Sequence, residues 1–418
     1  MFEFGRDLRK LFAQARDSED LSWLELVGVD LLFNEARQQT TDAGRVSCTR
    51  PFTAWLRAAA LWREHARRAG DLDSLDKARA AAEDAAKFVR TPDDTVRVAI
   101  ESARVLMLRF DLAGGPERLN QALALIPASG RPARIETATA VAALTARLRA
   151  RQAWLGGDTG MAVAVLGMMD IVIRAAKGRL NADIEELQLE RAGLALELGV
   201  VQRDPKRLDE AGAALQGLVA SASPDYRPLS RARALTLCAS GMGALAAMAD
   251  DPDATDQARV LFDAAADQFT PDHSPMDWVA IQLVRAKGPT PPGLATLIQA
   301  EDLTRGRGLT LGALAREARH AREIEMTASV GDLVGLDRIE QRLLEGLRRA
   351  RPNTTGLDWA ADQVALGRLA CARADLTGAS TGSLHIALIE ASETAREQGI
   401  RFLCEQANGL RDRLTIPA

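Results

Sequence analysis

The chain has 418 residues, 47% of them apolar, and its 53 Lys and Arg nearly balance 57 Asp and Glu for a formal net charge of −4. That apolar content excludes a disordered chain, and the lack of net positive charge excludes a bulk coat on nucleic acid, which binds by releasing counterions. Aromatic residues make up 4% with a single tyrosine, Tyr226, which is too poor in Tyr and Phe for an all-β fold of this size.

In chain order, residues 1–48 read as an N-terminal helical cap, with helices expected over 5–16 and 19–37. The first is amphipathic, with Phe2, Phe4, Leu8, Leu11 and Phe12 against a basic face. Such a helix suits the open end of a stacked array; peripheral membrane contact is the alternative. Glu3, Arg6, Asp7, Arg9 and Lys10 stand where a signal peptide needs its apolar core. The apolar stretch from Leu21 to Phe33 is interrupted by Glu25 and Asp30 and falls short of the roughly 20 residues that span a bilayer. Cys48, Cys238, Cys371 and Cys404 are dispersed and form no C-x-x-C pair, which suits a reducing compartment. A cytoplasmic protein without stable membrane insertion is expected.

From residue 49 to 418 the pattern repeats. A turn followed by a helix start recurs at Gly70–Ala78, Gly114–Ala122, Arg203–Ala211, Asp250–Ala258 and Gly331–Ile339, at multiples of a period of about 45 residues. A second marker, D-W-x-A-x-Q, occurs from Asp277 to Gln282 and from Asp358 to Gln363, two periods apart. Each period holds two helical patterns. In the unit from Pro51, Trp55, Ala58, Ala59, Trp62, Ala66 and Ala69 recur at helical spacing, Gly70-Asp71 stops the helix, and Leu75, Ala78, Ala82, Ala85 and Phe88 resume it. Eight such pairs begin near residues 51, 92, 133, 182, 228, 275, 309 and 356. Alanine at the facing positions permits close helix approach. The expected fold is an all-α stack of helical hairpins.

These residues resemble the tetratricopeptide repeat. Alanine near the second helix start, Gly-Asp or Asp-Pro between the helices, and the string Trp359-Ala360…Gln363…Leu366-Gly367 (W-A-x-x-Q-x-x-L-G) are similar to a bacterial variant with lengthened turns. Only the unit from Gly356 keeps the full string; the period exceeds the usual one and the family's tyrosines are missing. The resemblance implies a right-handed superhelix, an α-solenoid whose concave groove binds a peptide or protein and which carries no chemistry of its own.

Candidate sites are few. His65, His273, His320 and His385 lie apart from one another and from every cysteine, so no zinc spacing arises. His65 reads as a packed helix residue and His320, between Glu317 and Glu323, as a solvated one. Asp250, Asp251, Asp253 and Asp256 lack the glycine and closing glutamate of a calcium loop and read as helix caps. Gly306, Gly308 and Gly312 match no phosphate loop and read as a flexible turn; Gly288–Gly293 (GPTPPG) reads as a hinge or an irregular repeat. No catalytic residue, cofactor or metal is expected.

The basic run Arg131, Arg134, Arg147, Arg149 and Arg151 meets only Glu136 within its own stretch. Arg147 and Arg151 share a helix face with Trp154 one turn on, and Arg97 and Arg104 share another. If those faces line the groove, Arg97, Arg104, Arg147, Arg151 and Trp154 would grip an acidic segment through arginine's fork; a solvated helix surface is the plain alternative. The groove lacks the interleaved aromatics that single-stranded nucleic acid needs. The expected function is a non-enzymatic scaffold for a partner protein or peptide. The alternative is a regulatory sensor that binds a short peptide or metabolite and changes its pitch.

Overall fold

The computed structural model describes residues 21–176, 182–349, 352–378 and 384–415. Among these, all regular structure is helical: a 3-10 turn at Ser22–Leu26 and 18 α-helices. In order, α1 is Val29–Ala43, α2 Pro51–Ala69, α3 Leu72–Ala86, α4 Pro92–Ala113, α5 Glu117–Ala128, α6 Ile135–Gly156, α7 Thr159–Ala175, α8 Ala182–Gln202 and α9 Pro205–Ser221. They continue with α10 Pro228–Ala249, α11 Pro252–Ala266, α12 Pro275–Ala286, α13 Leu294–Thr304, α14 Leu309–Ser329, α15 Leu333–Arg349, α16 Pro352–Thr377, α17 His385–Gln398 and α18 Arg401–Thr415.

Local chemistry sets these boundaries. Proline occupies the first turn of α2, α4, α9, α10, α11 and α12, where its missing N–H costs nothing. Aspartate side chains cap α3, α7, α9 and α11: Asp71, Asp158, Asp204 and Asp251 each accept from backbone N–H groups of the first turn. The acidic stretch from Asp250 is thus a helix start, as expected. Thr91 and Asp94 close a reciprocal capping box on α4.

Alanine does much of the packing. Ala58, Ala59, Ala66, Ala78, Ala103, Ala122, Ala146, Ala192, Ala211, Ala239 and Ala258 are all fully or nearly fully buried. Each apolar cluster joins helices that are close in sequence: one gathers the N-terminal turn and α1–α4, another α4–α6, another α6–α10, and others run through α12–α18. Among the described residues, one helix, α10, is long and apolar enough by length and composition to cross a membrane. Its Leu229, Ala232, Leu235, Ala239 and Ala246 are buried, and it packs against α8, α9, α11 and α12. The close approach to α8 uses Gly241, where a Cβ would stand 2.8 Å from Leu196 Cδ2.

The helix expected over 5–16 lies outside the described residues. The one expected over 19–37 is instead broken: Gly28 is extended, and the helix runs from Val29 to Ala43. Arg68 explains the break. Its guanidinium is wholly buried and donates to Leu24 O at 2.7 Å, Val27 O at 2.6 Å and Glu64 Oε1 at 2.7 Å. Those carbonyls serve the arginine rather than a continuing helix. Glu25 is drawn away as well, accepting from Arg227 Nε at 2.8 Å and from the Ser230 N–H at 2.9 Å.

Beyond neighbour packing, the chain returns on itself. The first helices of successive pairs, α2, α4, α6, α8, α10 and α12, touch in sequence; α12 then meets α2, and α14 meets α4. Gly308 N–H donates to Gly70 O at 2.9 Å, and Gly115 N–H donates to Gln398 O at 3.1 Å. Gly70 has φ +69°, and a Cβ there would lie 2.8 Å from Met276 Sδ and 3.0 Å from Gly308 N, so only glycine allows both the turn and the contact.

Replacing Arg68 by methionine leaves the Val27 carbonyl without its donor, takes one of two donors from the Leu24 carbonyl and leaves Glu64 short of a partner. Urea unfolding should show a loss of about 3–5 kcal/mol. Arg45→Met, which breaks an exposed pair with Asp42, should cost under about 1 kcal/mol.

Candidate functional site

Groups of ion pairs link the first helices of successive pairs. From α2, Arg63 Nε meets Glu101 of α4 at 2.6 Å. Glu101 also meets Arg104 at 3.5 Å, and Arg104 pairs with Asp183 of α8. On α6, Arg147 contacts Glu186 at 2.7 Å and Glu190 at 2.9 Å, both on α8, while Arg151 bridges Asp111 of α4 at 2.8 Å and Glu190 at 3.1 Å. Another group meets at Asp277 of α12. Arg233 of α10 forks onto its carboxylate at 3.0 and 3.1 Å, Arg67 of α2 reaches both oxygens at 3.0 Å, and Ser274 Oγ donates at 2.6 Å. Arg67 is held in turn by Glu64 at 2.7 Å.

Close opposite charges outweigh desolvation here. Burial alone would raise the pKa of Glu190, but Arg147 and Arg151 hold it at about 2. Burial opposes ionisation of Asp277 too, yet Arg233, Arg67 and Ser274 keep it well below the usual carboxylate range. Glu64, Glu101 and Glu186 are likewise lowered against their burial, each by neighbouring arginines. The network is a set of fixed charges: Glu101, Glu186, Glu190 and Asp277 each have an arginine partner on another helix, and Glu64 has Arg67 and Arg68 on its own.

The five residues singled out as a binding face therefore have company. Arg104, Arg147 and Arg151 converge in this network with carboxylates already on their forks. Arg97 lies apart from those pairs on α4, half-buried, with its guanidinium 5.5 Å from the Phe52 ring centre. Trp154 lies at the end of α6 beneath Arg401, whose guanidinium sits 4.3 Å from its ring centre and donates to its carbonyl at 3.3 Å. Sequence spacing missed the acidic partners because Asp111, Asp183, Glu186 and Glu190 come from other helices. Asp277 had a signal, as the leading residue of the D-W-x-A-x-Q marker.

Near Trp154 and Arg401, charged groups of α8, α12 and α18 come close together. Lys287, at the end of α12, lies 3.8 Å from the Phe402 ring centre, and its pKa is lowered by desolvation against the pull of Glu197. Desolvation raises Glu197 of α8 to about 7, with Lys287 and Arg401 only partly opposing it. The Glu197 side chain is exposed at the surface of α8.

A second buried cluster joins α13, α14 and α16. Asp362 is fully buried and takes a fork from Arg316 at 2.6 and 2.9 Å; Glu301 pairs with Arg319, and Glu317 with Arg368 at 2.6 Å. His320 belongs to this cluster and is 5% exposed, which corrects its reading as a solvated residue. Burial and the arginines at 319, 316 and 342 push its pKa down to about 2. The ring stays neutral, its Nε2 accepting from Arg319 Nη2 at 2.9 Å. His65 is packed as expected, its Nδ1 2.9 Å from Ser74 Oγ.

Among the described residues, no group of three or more His, Cys, Asp or Glu is arranged to hold a metal ion. The turn at Gly306 and Gly308 joins α13 to α14 and docks on Gly70. The GPTPPG segment joins α12 to α13; Arg285 Nε donates to Thr290 O at 3.2 Å, and Pro289 packs against Gly243 of α10.

Two opposite pH responses follow. The network carboxylates have folded pKa values below their unfolded ones, so their contribution is complete above about pH 5 and is lost as pH falls toward about 2. The urea midpoint should drop over that range, and Glu190→Gln should weaken the dependence. Glu197 has a raised folded pKa, so its contribution fades as pH rises from about 4.5 to 7, and Glu197→Gln should remove that decline. In comparisons with known proteins, no family model matches the chain, and no curated protein does.

Proposed function

We propose that the chain is a non-enzymatic scaffold: a tetratricopeptide-like, right-handed α-solenoid of about eight hairpins over residues 49–418, preceded by a cap over residues 1–48. It works in the cytoplasm by binding a partner protein or acidic peptide. The observation that carries this reading is the row of touching helices α2, α4, α6, α8, α10 and α12, on which arginine forks already hold carboxylates. A surface that binds its own aspartates and glutamates in this way has the chemistry to bind those of a partner. Entry requires exchange, because a peptide carboxylate must displace Glu190 or Asp277.

Affinity capture with the purified chain, followed by titration of the recovered partner, tests this reading. Arg97→Glu should weaken binding about tenfold or more. Unchanged affinity in Arg97→Glu and in Arg147→Gln would remove the groove from the proposal.

A second reading, a sensor that responds to a short peptide or small metabolite by changing pitch, is favoured by the way the two ends of the helix array meet. That contact joins polar groups and a few apolar side chains without an apolar cluster of its own, whereas each end is built on apolar clusters. Thermal shift with a peptide and metabolite panel, read beside X-ray scattering, separates the two readings: the sensor changes its radius of gyration on binding and a rigid scaffold does not.

A further inference from the structure

We infer that the contact between the α2–α6 limb and the α12–α18 limb is a reversible latch, opening as a unit while each limb keeps its own core. The contact has three parts far apart in sequence. Arg67 of α2 meets Asp277 of α12. The turn before α14 hydrogen-bonds to the end of α2 through Gly308 and Gly70. The turn before α18 sits on the ends of α4 and α6, through Gly115 N–H to Gln398 O, through Arg401 on Trp154, and with Gly399 close against Phe110 and Leu155.

What holds the limbs together differs in kind from what holds each limb. Among the described residues no apolar cluster spans both limbs; the clusters of residues 21–155 and 269–414 are joined only the other way round, through those of α6–α10 and α9–α12. Apolar side chains at the contact include Met276 beside Gly70, Leu112 beside Gly308, and Phe110 and Leu155 beside Gly399. Apolar burial supplies most cohesive energy in a fold, whereas this contact rests on an ion pair and single backbone hydrogen bonds, and Asp277 keeps Arg233 and Ser274 when Arg67 leaves, so opening does not strand its charge. A boundary of the second kind between two bodies of the first is where local opening costs least.

Opening also has a chemical consequence. Arg233 keeps Asp277, since α10 and α12 are neighbours, but Arg67 loses that carboxylate and retains only Glu64. The closed latch is therefore an intramolecular contact that occupies an arginine of the ion-pair network. The inference deepens the sensor reading, resting on it for its purpose, while the latch itself stands on the limb contact. Ligand titration tests the first and amide exchange of the free protein tests the second.

Hydrogen exchange measures the latch at the amides that make it, Gly308 and Gly115. In the wild type both should exchange faster than buried amides of α4 and α8, and at similar rates to each other. Asp277→Asn weakens one part and should accelerate both amides about tenfold, equivalent to about 1.4 kcal/mol. Gly70→Ala provides a second route: its Cβ would collide with Met276 and Gly308, so it should accelerate the distant Gly115 amide as well. Gly331→Ala is the control. Gly331 has the same φ of +69° but nothing within 4 Å of its Cβ position, so it bears the backbone strain alone and should leave Gly115 unchanged. If Gly308 and Gly115 exchange only with the core amides in the wild type and both variants, the limbs are one cooperative body and the latch is refuted. Acceleration confined to the amide nearest each substitution would refute opening as a unit.

Discussion

The architecture depends on arginine forks reaching across helices. One guanidinium, that of Arg68, fixes the N-terminal turn by taking the carbonyls of Leu24 and Val27 that a helix would have used itself. Others link alternate helices, from Arg63 and Glu101 through Arg151 and Glu190 to Asp277, where Arg67 and Arg233 meet on one carboxylate. In a chain with few aromatics, arginine joins these helices with a long apolar stem and a planar head that forks onto carboxylates.

Two packing regimes result. Between neighbouring helices, buried alanine brings backbones close and apolar clusters follow the chain. Between alternate helices, charge meets charge at hydrogen-bonding distance and retains some water contact: Arg147 is 12% and Glu186 43% exposed at the side chain. Buried pairs are costly when broken and weakly stabilising when intact, so the network favours register and specificity over raw stability. It makes these helices intolerant of losing one partner, which couples any displacement of a carboxylate there to the contact between the limbs.

The helix pairs were legible because their signals are local. Proline at 51, 92, 228 and 275 begins helices at those positions, and Asp71, Asp204 and Asp251 cap the helices that follow the turns. The break at Gly28 was not legible, because its cause, Arg68, lies some forty residues downstream. His320 failed for a related reason. Its neighbours in sequence are charged and suggest solvent, but those charges point to Arg368 on α16 and Glu301 on α13, and the ring is enclosed with them.

The arginines offered as a binding face show the same division. Sequence placed Arg147 and Arg151 on one face of a helix and found a single acid in their stretch; both have close carboxylates in the fold, on α4 and α8. By itself the sequence determined that the chain is helical and where most of its helices begin, because periodicity, proline, glycine and capping aspartate act within one or two turns of chain. Only the tertiary structure decided which charges meet and how the last helices close on the first. Those outcomes depend on distances between residues tens to hundreds of positions apart, which no local signal in the chain encodes.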